Sequence, residues 1–222
     1  MSFCIFALMH NHLKDELHHI ISGKNQISFG AIIQAATRYL KDGAQSSIEA
    51  ETTKQIRKQE TERLEKFVSE SCLWITDIDF SQYVSEGAEQ RVFLKDSEHV
   101  LKLNDAIYYV SWIDYFHNLL LHNFFFPDTA YELVGFTKEN ENLYAVVKQQ
   151  FVTITDVTDL TKVKAFLEAN GFKNNRNNDY INKDLGIILE DLHDENVLTK
   201  NGVLYFIDTV FYLTNEFWDK SE

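Results

Sequence analysis

The chain has 222 residues, 45 % hydrophobic and 25 % charged, with one proline and eight glycines, which excludes a wholly disordered, collagen-like or proline-rich linker protein. A formal net charge of −13 repels phosphate backbones and argues against a broad nucleic-acid-binding surface. Two cysteines, Cys4 and Cys72, give neither a disulfide framework nor a four-thiolate metal site, and read as reduced thiols of a cytoplasmic protein.

Residues 1 to roughly 70 read as helical. The apolar run over residues 3–9 lacks the basic flank and small-residue cleavage site of a signal peptide. Phe29, Ile32, Ile33, Ala36, Tyr39 and Leu40 recur at helical spacing, with Gly43 at a C′ position and a polar linker over residues 42–50. Residues 52–68 carry only a narrow apolar stripe (Ile56, Leu64, Phe67 and Val68), the pattern of an exposed helix resting on something else.

The texture changes near Trp74. Residues 91–94 and 99–103 are short β-like runs separated by a polar turn. Residues 105–122 are apolar on nearly every side and predict a helix buried on more than one face, stopped by Pro127. The apolar clusters at 119–121 and 124–126 are split by His122 and Asn123 and fall short of the roughly twenty residues that span a bilayer. Strands over 130–137 and 143–151 follow, then a helix marked by Leu160, Val163, Phe166 and Leu167 and closed by Asn170-Gly171. Residues 173–178 read as an asparagine-rich surface loop. Short strands come next at 186–189, 197–199 and 204–207, the last two joined by Asn201-Gly202, a two-residue hairpin signal.

The informative block is Asp191-Leu192-His193-Asp194-Glu195-Asn196-Val197-Leu198, followed by the Asn-Gly hairpin and Phe206-Ile207-Asp208. Phosphoryl transfer asks for such a set: one carboxylate to orient a hydroxyl and take its proton, and an amide oxygen with a second carboxylate to hold Mg²⁺. Magnesium keeps several waters, so Asn196, Asp208 and phosphate oxygens suffice.

This block resembles the catalytic loop of the protein-kinase-like superfamily, in the form D-L-H-x-x-N-x-L. The resemblance makes Asp191 the catalytic aspartate, Asn196 the metal-binding asparagine and Asp208 the metal-binding aspartate. The last motif reads Asp208-Thr209-Val210, not D-F-G. Upstream, Gly87-Ala88-Glu89-Gln90 stands where a nucleotide-covering turn belongs, and Val100-Leu101-Lys102-Leu103 resembles the V-A-I-K strand, with Lys102 neutralising the nucleotide phosphates. Asp114 is the best-placed carboxylate partner for Lys102, although the family uses glutamate there; residues 148–152 stand at the hinge.

Within the superfamily the likeness is to the kinase domain of polyvalent proteins, found on bacterial mobile elements and phages. It runs from Trp74 to Thr209 and is carried by residues 119–133 and the Asp191–Asp208 block. It implies an α+β, bilobal kinase-like fold: a helical extension over 1–73, an N-lobe with a five-stranded antiparallel sheet over 74–152, and a reduced C-lobe over 153–222. It also implies ATP, Mg²⁺ and an acceptor, protein or small molecule, that it does not name.

Blander readings stand beside these. Singly, Asp191 and Asp208 are loop acids capping turns, Lys102 a strand lysine with its head in water, Gly87 a turn glycine, Asp114 a polar-face residue and His193 a packed ring that props its loop. Asp191-Leu192-His193 also has the D-x-H form of a metallophosphoesterase pair, without its companion motifs; His10-Asn11-His12, with His18 and His19 nearby, lacks a nuclease context. Two other functions fit: a pseudokinase or interaction module without turnover, and a small-molecule kinase. The fourteen residues after Asp208 are too few for the latter's acceptor subdomain. Val210, Phe211, Tyr212, Leu213, Phe217 and Trp218 in that tail predict burial against the C-lobe.

Overall fold

The computed structural model describes residues 2–42, 53–87 and 90–219. The linker expected over 42–50 therefore lies outside the described residues apart from Asp42, as do Ala88 and Glu89 of the expected nucleotide turn and the side chains of His10 and Asn11. In chain order come helices α1 (Ser2–Ile21), α2 (Gly30–Asp42) and α3 (Thr53–Glu70), then strands β1 (Tyr83–Glu86), β2 (Gln90–Leu94) and β3 (His99–Asn104). Helix α4 (Trp112–Phe125) leads to β4 (Glu132–Glu139), β5 (Asn142–Gln150) and α5 (Leu160–Ala169). The rest is β6 (Lys173–Arg176), β7 (Asp179–Asn182), β8 (Ile187–Glu190), β9 (Val197–Lys200), β10 (Val203–Phe206), β11 (Val210–Leu213) and the short α6 (Asn215–Trp218). Among the described residues no helix is long and apolar enough to cross a membrane.

The chain divides into two compact units, Gln26–Phe151 and Met1–Asn25 together with Val152–Glu222. The helices of residues 1–73 are thus shared between them, α1 in the second unit and α2 and α3 in the first.

The unit Gln26–Phe151 holds the expected five-stranded sheet, ordered β1-β2-β3-β5-β4 and antiparallel throughout. Ile78, Phe93, Leu103 and Val146 form a core on one side of it. Helix α4 is buried almost all round, with Trp112 and the whole run Tyr115–Asn123 inside. It starts seven residues later than the apolar pattern predicts. The Asn104 carboxamide accepts the N–H of Ala106 (2.7 Å) and the Asp105 carboxylate that of Ile107 (3.0 Å), so local side-chain bonds take the turn away from the helix. Arg57 of α3 then clasps the carbonyls of Asp105 and Ile107, and Ser111 caps α4 by accepting the N–H of Asp114. Helix α3 buries Leu64 and Val68 as expected, and one residue not expected inside, Glu60.

The other unit holds a four-stranded sheet, β11-β8-β7-β6, and a separate β9–β10 hairpin. The loop expected over 173–178 is instead the exposed edge strand β6 and its turn into β7. Its shape comes from Asn174, whose amide donates to the carbonyls of Asn177 and Asp179, and from Asn177 at φ 49°. The apolar tail is buried as expected: β11 pairs with β8 and Phe217 is fully inside, while Trp218 stays about half exposed. Gly186, at φ 68°, lets the tail close, because a Cβ there would stand 2.2 Å from the Phe217 nitrogen. Helix α1 grips the same turn: Lys14 donates to the Glu216 carbonyl at 2.6 Å, and the His18 ring lies 4.3 Å from that of Phe217.

Candidate functional site

In the unit Gln26–Phe151, Lys102 sits in the middle of β3, opposite Val92 on one side and Val147 on the other. It is 3 % exposed, and its ammonium lies 5.4 Å from the centre of the Tyr131 ring, within reach of a cation–π attraction. Tyr131 is itself locked: Asn123 donates to its carbonyl and accepts its N–H, at 2.8 and 2.7 Å. His122 donates to the Thr129 carbonyl, which Gln149 also engages at 2.6 Å. Complete burial holds the His122 imidazole far below its ordinary value, at about 3, and the Lys102 charge pushes the same way. The surroundings of Lys102 are therefore enclosed and tightly bonded.

Two other expected residues of this unit have structural partners. The Gly87 N–H donates to the Gln90 carbonyl (2.9 Å) and closes the β1–β2 turn, and a Cβ on Gly87 would meet nothing. The Asp114 carboxylate accepts the Ser111 hydroxyl at 2.7 Å in a reciprocal cap of α4. The same helix end receives Glu60 of α3, whose carboxylate accepts the Trp112 N–H at 2.6 Å. Burial pushes that carboxyl up to about 7, against the pull of the helix N–H groups.

The other unit brings Asp191, Asn196 and Asp208 together. Strand β8 ends at Glu190, and Asp191 turns the chain at φ 67°, a left-handed conformation that non-glycine residues rarely hold. Its N–H donates to the Asp179 carboxylate (3.2 Å), and buried Leu192 pins the loop while donating to the Asn178 carbonyl. The His193 carbonyl accepts the N–H groups of Asn196 and Val197, which rounds the loop into β9.

Inside that loop the Asn196 amide donates to the Asp191 carbonyl at 2.9 Å and to Asp191 Oδ2 at 2.7 Å. Both amide hydrogens are then used, and Asn196 Oδ1 accepts no hydrogen bond among the described residues. On the other flank, His193 Nε2 is 3.2 Å from Asp191 Oδ1. The β9–β10 register runs to Val197 opposite Phe206, so Asp208 arrives beside Asn196, with its N–H 3.4 Å from the Asn196 carbonyl. Burial raises the Glu190 carboxyl, and the charges of Asp179 and Asp191 add to it. Sequence reasoning missed Asp179 because it lies twelve residues from Asp191 and reaches it only through the β7–β8 pairing.

The donor set suits a hard cation. Among the described residues no three His, Cys, Asp or Glu side chains gather as a metal-binding group. Asn196 and Asp208, whose backbones are bonded to each other, carry the oxygen donor types that a hard cation takes.

Comparison with known proteins bears on this arrangement. The family described as serine/threonine/tyrosine kinase found in polyvalent proteins matches residues 57–215. Neither the curated proteins nor the solved structures gave a match. The matched segment contains Lys102, Asp191, Asn196 and Asp208 and spans well over half of the sequence, so the chain belongs to the family of serine/threonine/tyrosine kinases found in polyvalent proteins.

Proposed function

We propose that the chain is an ATP- and Mg²⁺-dependent phosphotransferase. The observation that carries this reading is the Asp191 carboxylate held by the Asn196 amide, with the backbone of Asp208 bonded to that of Asn196. In this reading Asp191 orients the acceptor hydroxyl and takes its proton as the oxygen attacks the γ-phosphorus. The bond to the β-bridging oxygen breaks and ADP leaves with that electron pair. Asn196 and Asp208 hold Mg²⁺, which when bound neutralises phosphate charge; Lys102 serves the phosphates and Gly87 lies in the turn that covers them.

A second reading, nucleotide binding without turnover, draws on the segment after Asp208. The chain enters β11 at Val210, paired with β8, where a conventional kinase has an activation segment.

Thermal melting separates these. Millimolar magnesium-ATP is expected to raise the melting temperature, because a ligand that binds only the folded chain stabilises it by mass action. Asp208→Ala abolishes the shift; Asp191→Asn keeps it and loses phosphate transfer. No shift for the intact chain overturns the proposal, and a shift without transfer to water, to itself or to added acceptors selects the second reading.

A further inference from the structure

Lys102 lies at the far end of α4 from the carboxylate expected to serve it. Its charge reaches His122, in the last turn of α4, and its ammonium stands over the Tyr131 ring, 5.4 Å from the centre. Asp114 belongs to the first turn, where it accepts the Ser111 hydroxyl, and the helix rise sets it about 12 Å along the axis from His122. Tyr131 is held from several sides. Asn123 pairs with its backbone N–H and carbonyl, the His122 ring packs on it at 4.4 Å, and it is 3 % exposed.

We infer that Tyr131 is a positioning residue for Lys102: its ring face fixes where the ammonium stands on the inner side of the sheet, and Asn123 fixes the backbone that carries the ring. A lysine head on a four-carbon stem has many positions open to it, and a ring face favours one of them. The ring attracts the cation through its quadrupole and brings no counter-charge, as a carboxylate would. The positive charge therefore stays available to phosphate oxygens. The role toward nucleotide rests on the phosphotransfer reading above; the ring contact does not.

Two measurements on the full chain test this. In wild-type protein labelled with ¹³C-lysine, the ε-methylene hydrogens of Lys102, assigned by their loss in Lys102→Arg, are expected upfield of the other lysines, shielded by the ring face. An ordinary lysine position overturns the inference. The second measurement is calorimetric binding of magnesium-ATP and of adenosine, which has no phosphates for Lys102 to serve. Tyr131→Leu fills much of the space without a ring face. It is expected to weaken magnesium-ATP about fivefold or more while adenosine stays within about twofold. Tyr131→Phe keeps the face and restores most of the magnesium-ATP affinity. Unchanged magnesium-ATP affinity in Tyr131→Leu overturns the inference, and so does an equal loss for both ligands, the mark of a merely structural role. If Tyr131→Leu does not fold, Tyr131→Phe carries the test: retained magnesium-ATP affinity supports the inference, and its loss with the face still present overturns it. If the wild-type chain binds no magnesium-ATP, the phosphotransfer reading fails, and the Lys102 spectrum decides the ring contact by itself.

Discussion

Lys102 and Asp191 are held by opposite means. Lys102 is almost wholly enclosed, lying over an aromatic ring in a pocket whose polar groups are bonded to one another. Asp191 is half exposed, and directional bonds from the Asn196 amide hold it where packing does not. The first is enclosed by packed side chains; the second stands near solvent and depends on donors in the right place. A buried cation gains from a ring face and loses that attraction if the face is removed. An anion near water is cheap to solvate, and only its orientation needs protein.

The sharpest way to break that contrast is to remove the ring. Tyr131 is 3 % exposed and packs against His122 at 4.4 Å as well as under Lys102. Tyr131→Ala is expected to cost about 3–5 kcal/mol by denaturant unfolding, from lost packing and a cavity beside a buried charge. Tyr131→Phe keeps the ring face and recovers most of it. Equal losses in both variants would show that the hydroxyl, not the face, is what matters there.

A middle-sized effect lies at Glu60, the buried carboxyl at the start of α4. Its folded value of about 7 lies above the ordinary 4.5, so the protonated form is favoured by folding. The stability this contributes is complete below about pH 4.5 and is lost as pH rises through about 7, amounting to about 3 kcal/mol at most. Glu60→Gln keeps an oxygen for the Trp112 N–H and removes the titration. Melting from pH 5 to pH 8 should therefore fall less steeply in this variant than in the wild type, and parallel curves would refute the assignment.

The same contrast explains what could be read in advance. Asp191, Asn196 and Asp208 were legible because their bonds are local or cross one hairpin, and that hairpin announced itself through Asn201 and Gly202, both at positive φ. The tail's burial was legible from its apolar density, but not its pairing with β8, which is set by tertiary contact. Strands β1 and β6 were not legible, since every residue in them is exposed and no alternation marks them. The late start of α4 was hidden because exposed Ile107, Tyr108 and Val110 continue an apolar run that Asn104 and Asp105 divert into turns. The cage of Lys102 was the least legible. Tyr131 and His122 reach it from twenty-nine and twenty residues away, and no spacing rule connects them.

The smallest expected effect tests the exposed side of the contrast. Asp179 accepts the Asp191 N–H, yet its charge also raises the Glu190 carboxyl, after burial itself. Asp179→Asn keeps an oxygen for that bond while removing one of three crowded negative charges. Like charges in a partly solvated cluster repel weakly, so the substitution is expected to stabilise the fold by less than about 1 kcal/mol near neutral pH. The Glu190 carboxyl should move back toward its ordinary value, read by ¹³C titration of its side chain. Asp179→Ala loses the acceptor as well and is expected to be less stable than Asp179→Asn, because it leaves the Asp191 N–H without its carboxylate at a left-handed residue. If the two variants melt alike, the loop is held by Asn196 and its own backbone bonds, and the β7 contact contributes nothing to the geometry of Asp191.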